Sequence, residues 1–362
     1  MVKKKVLFLY NGGTIGMLLE ERDCGPVLIP PKDKNTFKDA CKPIVNRFSD
    51  VIDVTFEVIT TKDSTNMNPN DWEKLALRIW KAQKEGFDAV AIAHGTDTLA
   101  YTANALAFAL HGRNPNNSCL KIPVCITGSQ TPIYEKGGDG RFNLENVFRV
   151  LIKCIELGVS DILINFWDRV LLGCRALKIS ERDFDAFRTP AYPNVGFIDA
   201  SGVHLNLKLL RKAKDAGGTE VPLAKFARGV VTFELSPGLD PNILLQMISS
   251  GGVSAVVLKS LGEGNVCNEG QYNLLPAVRQ ATNEYFTPIF ITTKFVGGTV
   301  SSTFYEVGYA ALKAGAIPCY DQTDVTVEVK VRWLLGNGIC SKIEDFSKAM
   351  ETNYVGEVTP QE

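Results

Sequence analysis

Histidine is scarce in this chain of 362 residues: His94, His111 and His204 are the only three, and they lie far apart. A His-based metal centre needs such ligands clustered, so none is expected. An excess of charge is missing too. The 39 basic and 40 acidic residues leave a formal net charge of −1, which gives no electrostatic pull toward nucleic acid or an anionic membrane. Long apolar runs are absent, and no stretch nears the ~20 residues of a membrane-spanning helix. The opening MVKKKVLFLYNGG has the basic start of a signal peptide. Its apolar run is too short for one before Asn11-Gly12, and the same run is needed as a first strand. The nine cysteines are an odd count without any CxxC spacing. They read as reduced, mostly buried thiols of a reducing compartment, and hence of a cytoplasmic protein. Internal repeats and low-complexity segments are lacking. So are the G-x-G-x-x-G and Gly-Lys-Ser/Thr patterns of dinucleotide and phosphate loops.

What is present is ordinary in bulk and specific in two places. Hydrophobic residues make up 45% and charged residues 22%, as in soluble globular proteins, and the length exceeds what one core usually serves. The two specific places are YNGGTIG at 10–16 and AHGTDTLA at 93–100. In each, an apolar strand runs into a Gly/Thr turn. The first delivers Thr14 and the second Thr96 beside Asp97. In an open parallel sheet, ligands bind beyond the carboxyl ends of the strands, so both threonines should face one cleft. Two hydroxyls and a carboxylate there are the parts of a nucleophile and its activation, and Thr needs a base to take its proton. Acyl transfer is the chemistry these parts suit. Taken singly, Gly12-Gly13 is a tight turn, Thr14 a turn-capping hydroxyl and Asp97 a helix N-cap.

Strands and helices alternate from the start, the mark of parallel βαβ units. TFEVIT (55–60) reads as a strand. Asn70 and Glu73 have the spacing of a capping box for a helix carrying Trp72, Ala76, Ile79 and Gln83 on one face. Further elements follow: a strand at 89–93, a helix from about Leu99 to Leu110, VCIT (124–127), a helix from about Leu144 to Leu157, and DILINF (161–166). The segment 206–228 is polar, basic and contains Gly217-Gly218, which suits a linker. VVTFEL (230–235), AVVLKS (255–260) and PIFITT (288–293) are three more strands, followed by an amphipathic VEVKVRWLL and by IEDFSKAM. The expected fold is α/β, with two doubly wound, mostly parallel sheet domains. The larger spans 1–205 and the smaller 229–362.

Together the two Gly/Thr strings resemble the signature pair of the bacterial-type L-asparaginase family. The resemblance extends along the chain through DSTNMNPNDW (63–72), TGSQTPI (127–133), DGRFNLENV (139–147), GCRALKISERDFDAF (173–187), LKSLGEGN (258–265) and GEVTP (356–360). Asp63-Ser64 is the wording of the cytosolic, type I branch. The resemblance implies hydrolysis of L-asparagine to L-aspartate and ammonia through a threonyl ester, without a metal or organic cofactor. Thr14 matches the nucleophile, although Asn11 stands where the family usually has threonine. Asp97 matches the holder of the substrate's α-amino group. Lys178, directly after a predicted strand, matches the buried lysine beside Thr96 that relays a proton. Asp63 and Ser64 match the loop binding the α-carboxylate and α-amino group. Asn265 matches a position offered to a neighbouring subunit's site, which implies a homodimer or homotetramer. Arg141 and Asn143 read as surface or structural residues.

Two departures sharpen the reading. No tyrosine lies between Ile15 and Pro30, a loop of lid-like composition, so Tyr305 in SSTFYEVG is the candidate hydroxyl to assist Thr14; core packing is its other reading. In TTKFVGG, where type I members with a second asparagine site carry a cysteine, this chain has Lys294. Three alternatives stand beside asparagine hydrolysis. An amidase component of a tRNA-dependent amidotransferase would carry a domain before the first signature, and here that signature begins at residue 10. A broader glutaminase or lysophospholipase-type hydrolase is the second, and lysophospholipid would require an apolar slot that no amphipathic membrane stretch announces. A non-catalytic amino-acid-binding protein would be expected to have lost Thr14, Thr96, Asp97 or Lys178.

Overall fold

The computed structural model describes residues 2–33, 35–111, 118–213, 221–300 and 306–360. The chain divides into two compact units, Met1–Thr189 with Pro193–Ala224, and Pro190–Tyr192 with Lys225–Glu362.

The first unit is built on an eight-stranded sheet. From one edge its order is Ile52–Thr60, Lys4–Asn11, Ala89–His94, Val124–Thr127, Ile162–Phe166, Arg169–Leu172, Gly196–Asp199 and Gly202–Leu205. The first five run parallel and the remainder antiparallel. Parallel strands covered by helices on both faces should be apolar throughout, and Ala89–His94, Val124–Thr127 and Ile162–Phe166 are buried at every position. Aromatic rings fill the space beside the first strand: Phe8 makes edge contacts with Phe37, Phe56 and Phe148 at 5.3–6.1 Å between centroids. The chain leaves Lys4–Asn11 for the edge strand on one side, then returns across it to Ala89–His94 on the other. This reversal makes the crevice beyond the ends of these strands the place for a ligand.

Local chemistry moved several expected boundaries. The helix after the second strand is Pro69–Lys84, and its capping box is formed by Asn68 and Asp71 rather than Asn70 and Glu73. Pro69 at the first helical position fixes that start. The expected lid loop contains a regular antiparallel hairpin, Leu18–Arg22 with Gly25–Ile29, turned at Gly25 with φ 101°. The helix Asn35–Val45, with Pro43 inside it, had no clear sequence signal. The segment 206–213 is held to the first unit: Ser160 N donates to Arg211 O and Ala213 N to Gly158 O. No described helix is long and apolar enough to cross a membrane. Seven of the nine free cysteines are buried, and Cys24 and Cys267 are exposed.

The second unit carries a parallel sheet whose strands lie in chain order, Val230–Glu234, Ala255–Ser260, Ile289–Thr293 and Ile317–Pro318. Helix Asp324–Gly336 includes VEVKVRWLL but is not amphipathic; it is buried nearly all round. The reason is the segment after the last helix. Tyr354 packs its ring against Trp333 at 5.3 Å. Lys330 Nζ lies 2.7 Å from Glu357 Oε1, both side chains being fully buried, and also donates to Thr352 O at 3.0 Å.

Candidate active site

Three turns at the carboxyl ends of adjacent strands interlock. The first follows Lys4–Asn11, where Gly12 and Gly13 have φ of 78° and 93° and Thr14, half-buried, opens the single helical turn Thr14–Gly16. A Cβ on Gly12 would fall 2.0 Å from Lys62 O. Gly13 N donates to that same carbonyl at 3.2 Å. The second turn follows Ile52–Thr60. There Asp63 Oδ1 accepts from Thr65 N at 2.8 Å and caps the turn Ser64–Asn66, with Ser64 buried. The third follows Ala89–His94 and carries Gly95, Thr96 and Asp97. A Cβ on Gly95 would strike Ser64 Oγ at 2.5 Å, and Thr98 Oγ1 donates to Ser64 O at 2.9 Å. Glycine is required at Gly12 and Gly13 both for positive φ and for these approaches.

His94 anchors the third turn from beneath. Its Nδ1 bonds Gly95 O at 2.7 Å and its Nε2 pairs with Thr102 Oγ1 at 2.9 Å. With a carbonyl as acceptor, Nδ1 carries the proton and Nε2 accepts from the threonine hydroxyl. Complete burial pushes the imidazole pKa down to about 4, against the raising influence of the Gly95 carbonyl.

Lys178 reaches this turn from outside the parallel sheet. It lies in a two-residue strand, Leu177–Lys178, paired antiparallel with Phe187–Arg188. Nζ donates to Thr96 Oγ1 at 2.9 Å and to Asp97 Oδ1 at 2.6 Å. Thr96 is buried, the Lys178 side chain is 17% exposed and that of Asp97 59%. The carboxylate supplies the counter-charge for an ammonium, and the same nitrogen touches a hydroxyl. This arrangement can move a proton at Thr96 Oγ1.

Thr14, Asp63, Ser64, Thr96, Asp97 and Lys178 are therefore gathered around one crevice of the first unit. Asn265 belongs to the second unit, in the tight turn Leu261–Asn265, with its N donating to Leu261 O at 2.8 Å. Its Oδ1 is buried without a partner among the described residues. Tyr305 lies outside the described residues. Arg141 is exposed and donates from Nε to Ile133 O at 3.1 Å. Asn143 is buried and structural: Nδ2 donates to Gly128 O and Asp139, and Oδ1 accepts from Trp167 N. Lys294 Nζ donates to Leu235 O at 3.4 Å and lies 3.8 Å from Glu234. Among the described residues no group of three or more His, Cys, Asp or Glu side chains could hold a metal ion.

Two residues escaped the sequence reading. Asp139, fully buried, accepts from Gln130 N, Thr131 N, Thr131 Oγ1 and Asn143 Nδ2, and so fixes the loop after Val124–Thr127. Gln130 in that loop donates from Nε2 to Ser180 O at 3.2 Å and to Asp183 O at 3.1 Å. Asp-Gly before an apolar run reads as a helix start, and nothing in TGSQTP marks a glutamine that reaches fifty residues ahead.

Comparison with known proteins places the chain in a family. Residues 5–211 match the family model "Asparaginase, N-terminal" and residues 229–350 "Glutaminase/Asparaginase C-terminal domain". The chain is 33% identical over 357 residues to an L-asparaginase of Thermococcus kodakarensis, covering 98% of this chain and 99% of that protein. It is 31% identical over 365 residues to L-asparaginase 1 of Escherichia coli, covering both chains in full. A subunit of a glutamyl-tRNA(Gln) amidotransferase of T. kodakarensis is 29% identical over 364 residues, covering 98% of this chain and 76% of that one. The solved structure of the thermostable L-asparaginase from T. kodakarensis superposes with a TM-score of 0.82 at 31% identity, covering 99% of this chain and 100% of that one. The chain belongs to the asparaginase family.

Proposed function

We propose that this member of the asparaginase family hydrolyses the side-chain carboxamide of L-asparagine to L-aspartate and ammonia through a threonyl ester. The observation that carries the reading is Lys178 Nζ bridging Thr96 Oγ1 and Asp97 Oδ1 in the crevice that the Thr14 turn also lines. Thr14 Oγ1 attacks the carboxamide carbon and its proton passes through Thr96 and Lys178 to the leaving nitrogen. The C–N bond breaks and ammonia departs. Water then attacks the ester carbon, the bond to Thr14 breaks, and the hydroxyl recovers its proton. Backbone N–H groups of the glycine turns stabilise the oxyanion, usually the largest catalytic contribution. Asp63, Ser64 and Asp97 hold the substrate's α-carboxylate and α-amino groups. Asn265 of a neighbouring subunit completes the site in a cytoplasmic homodimer or homotetramer. Tyr305 assists Thr14 with its hydroxyl.

Ammonia release from asparagine and from glutamine over a concentration series tests the activity, with Thr14→Ala as control. Release from asparagine that vanishes in the variant supports the reading. Relatives named as parts of a glutamyl-tRNA(Gln) amidotransferase favour a second one, in which the chain serves a tRNA-dependent amidotransferase. Inertness toward free asparagine, with glutamine hydrolysis appearing only beside a partner protein, would replace the first reading by the second. For Tyr305, the Phe variant keeps the ring and removes only the hydroxyl, so unchanged turnover eliminates it as a catalytic residue.

A further inference from the structure

We propose that Gln130 is a positioning residue that holds Lys178 against Thr96, an inference resting on the proton-relay reading of Lys178 above. The reason begins with how little supports the lysine locally. Its ribbon has only two paired positions, Lys178 with Phe187 and Leu177 with Arg188, extended by one bond from Ile179 N to Ala186 O at 2.8 Å. A two-stranded ribbon is marginal in water by itself, and a lysine has a long, rotamer-rich side chain. A fixed Nζ position therefore needs bracing from elsewhere.

Two braces reach the loop between the ribbon's strands. At its far end the Asp185 carboxylate accepts from Arg169 Nε at 2.7 Å and from Arg188 Nη1. Partial burial pushes the Asp185 carboxyl up, but these guanidinium contacts together outweigh it and hold the group below its usual range. At the near end Gln130 Nε2 donates both protons, to Ser180 O and Asp183 O. Ser180 Oγ in turn accepts from Arg182 N and Asp183 N, so the two carbonyls that Gln130 grips belong to one tight turn. That turn begins two residues after Lys178.

The loop carrying Gln130 also packs against the other partner of the relay. A Cβ on Gly128 would meet His94 O at 2.5 Å and Thr96 Cγ2 at 3.2 Å, so the backbone at Gly128 touches the Thr96 turn. Residues 128–131 thus contact Thr96 on one side and grip the Lys178 ribbon on the other. The buried Asp139 carboxylate, taking the N–H groups of Gln130 and Thr131, keeps this short loop from shifting. One loop sets both ends of the Lys178–Thr96 hydrogen bond, and Gln130 is the side chain through which it sets the lysine end.

The test is a double-mutant cycle on the full chain with asparagine as substrate. Gln130→Leu removes both donors; Gln130→Glu keeps the shape, places oxygen against the two carbonyls and serves if the leucine variant folds poorly. The expected result is a fall in kcat of about 10- to 100-fold, the scale of an ångström of misplacement, with KM within about threefold of wild type. Gln130→Leu added to Lys178→Met should cost nothing further, because a residue acting only through Lys178 has nothing left to position. For Gln130→Glu, turnover relative to wild type should rise as pH falls and the new carboxyl regains a proton to donate. Unchanged kcat in both variants, or losses that multiply in the double mutant, overturns the inference while leaving the lysine's role intact. A Lys178→Met enzyme of near-normal turnover removes the relay reading itself, and this inference with it.

Discussion

The α-carbon of Gly13 and the backbone of Gly95 meet so closely that a methyl group on Gly13 would lie 2.2 Å from the nitrogen and α-carbon of Gly95. Two turns that belong to different strands are therefore one structural object. Gly13→Ala adds that methyl at φ 93° and ψ 171°, a region essentially only glycine enters, at a cost of about 1–3 kcal/mol before any clash is counted. The turns must separate, carrying Thr14 away from Thr96. Turnover should fall by more than about 100-fold, on the principle that small misplacements of reacting groups are costly. Steady-state kinetics near wild type would refute the interlock.

Lys178→Met keeps the length of the side chain and removes the proton carrier. Turnover should fall by a factor of about 10²–10⁴, the usual share of general acid–base catalysis, while the melting temperature stays close to wild type. Retention of more than about a tenth of the activity is incompatible with the relay, since that is below the smallest loss expected of such a group.

His94 makes stability depend on pH in a definable window. Its imidazole is neutral in the fold, with a pKa of about 4, against the ordinary 6.5 of the unfolded chain. A depressed pKa means that the contribution is fully present above pH 6.5 and is lost as pH falls from 6.5 toward 4, where the unfolded state binds a proton that the folded state refuses. The loss should approach about 3 kcal/mol, from about 1.36 kcal/mol for each unit of difference. Denaturant unfolding at a series of pH values measures it, and His94→Gln should flatten the curve in that window. An equally steep curve in the variant would assign the effect to other groups.

The Lys330–Glu357 pair predicts an asymmetry between single and double variants. Both side chains are fully buried. Glu357→Gln leaves an uncompensated ammonium in the core and should cost about 3–5 kcal/mol, whereas adding Lys330→Met removes that charge, keeps a side-chain oxygen for the buried Tyr354 N and Val355 N, and should recover much of the loss. Chemical denaturation of the three proteins decides it; equal losses in the single and double variants would mean that the packing of the segment 352–358, and not the charge pair, holds it in place.

Much of this was readable in the sequence because the information is local. The strings at 10–16 and 93–100 contain a strand, a glycine turn and a hydroxyl within seven or eight residues, so each places its threonine without help from distant parts of the chain. Lys178 was legible only through the family block GCRALKIS; the bare pattern does not reveal a two-residue strand, since such a ribbon exists by its braces and not by propensity. Asp139 and Gln130 were invisible because burial of one carboxylate and a reach of fifty residues are tertiary facts. VEVKVRWLL read as amphipathic because its charges imply a wet face, whereas Lys330 and Glu357 neutralise one another beneath the closing segment. Asn68 and Asp71 replaced Asn70 and Glu73 as the cap because Pro69 sets where the first turn can begin.

The closing segment has a further meaning for the life of the polypeptide in a cell. Until Glu357 has been synthesised and tucked in, Lys330 has no carboxylate to meet, and the helix that carries it cannot settle in the interior without stranding a charge. A chain broken off short of that glutamate is therefore expected to keep an unfinished second core, with apolar surface still exposed to water. The stretch around Glu357 is in this sense a condition for closing the second core and not an addition to a finished one.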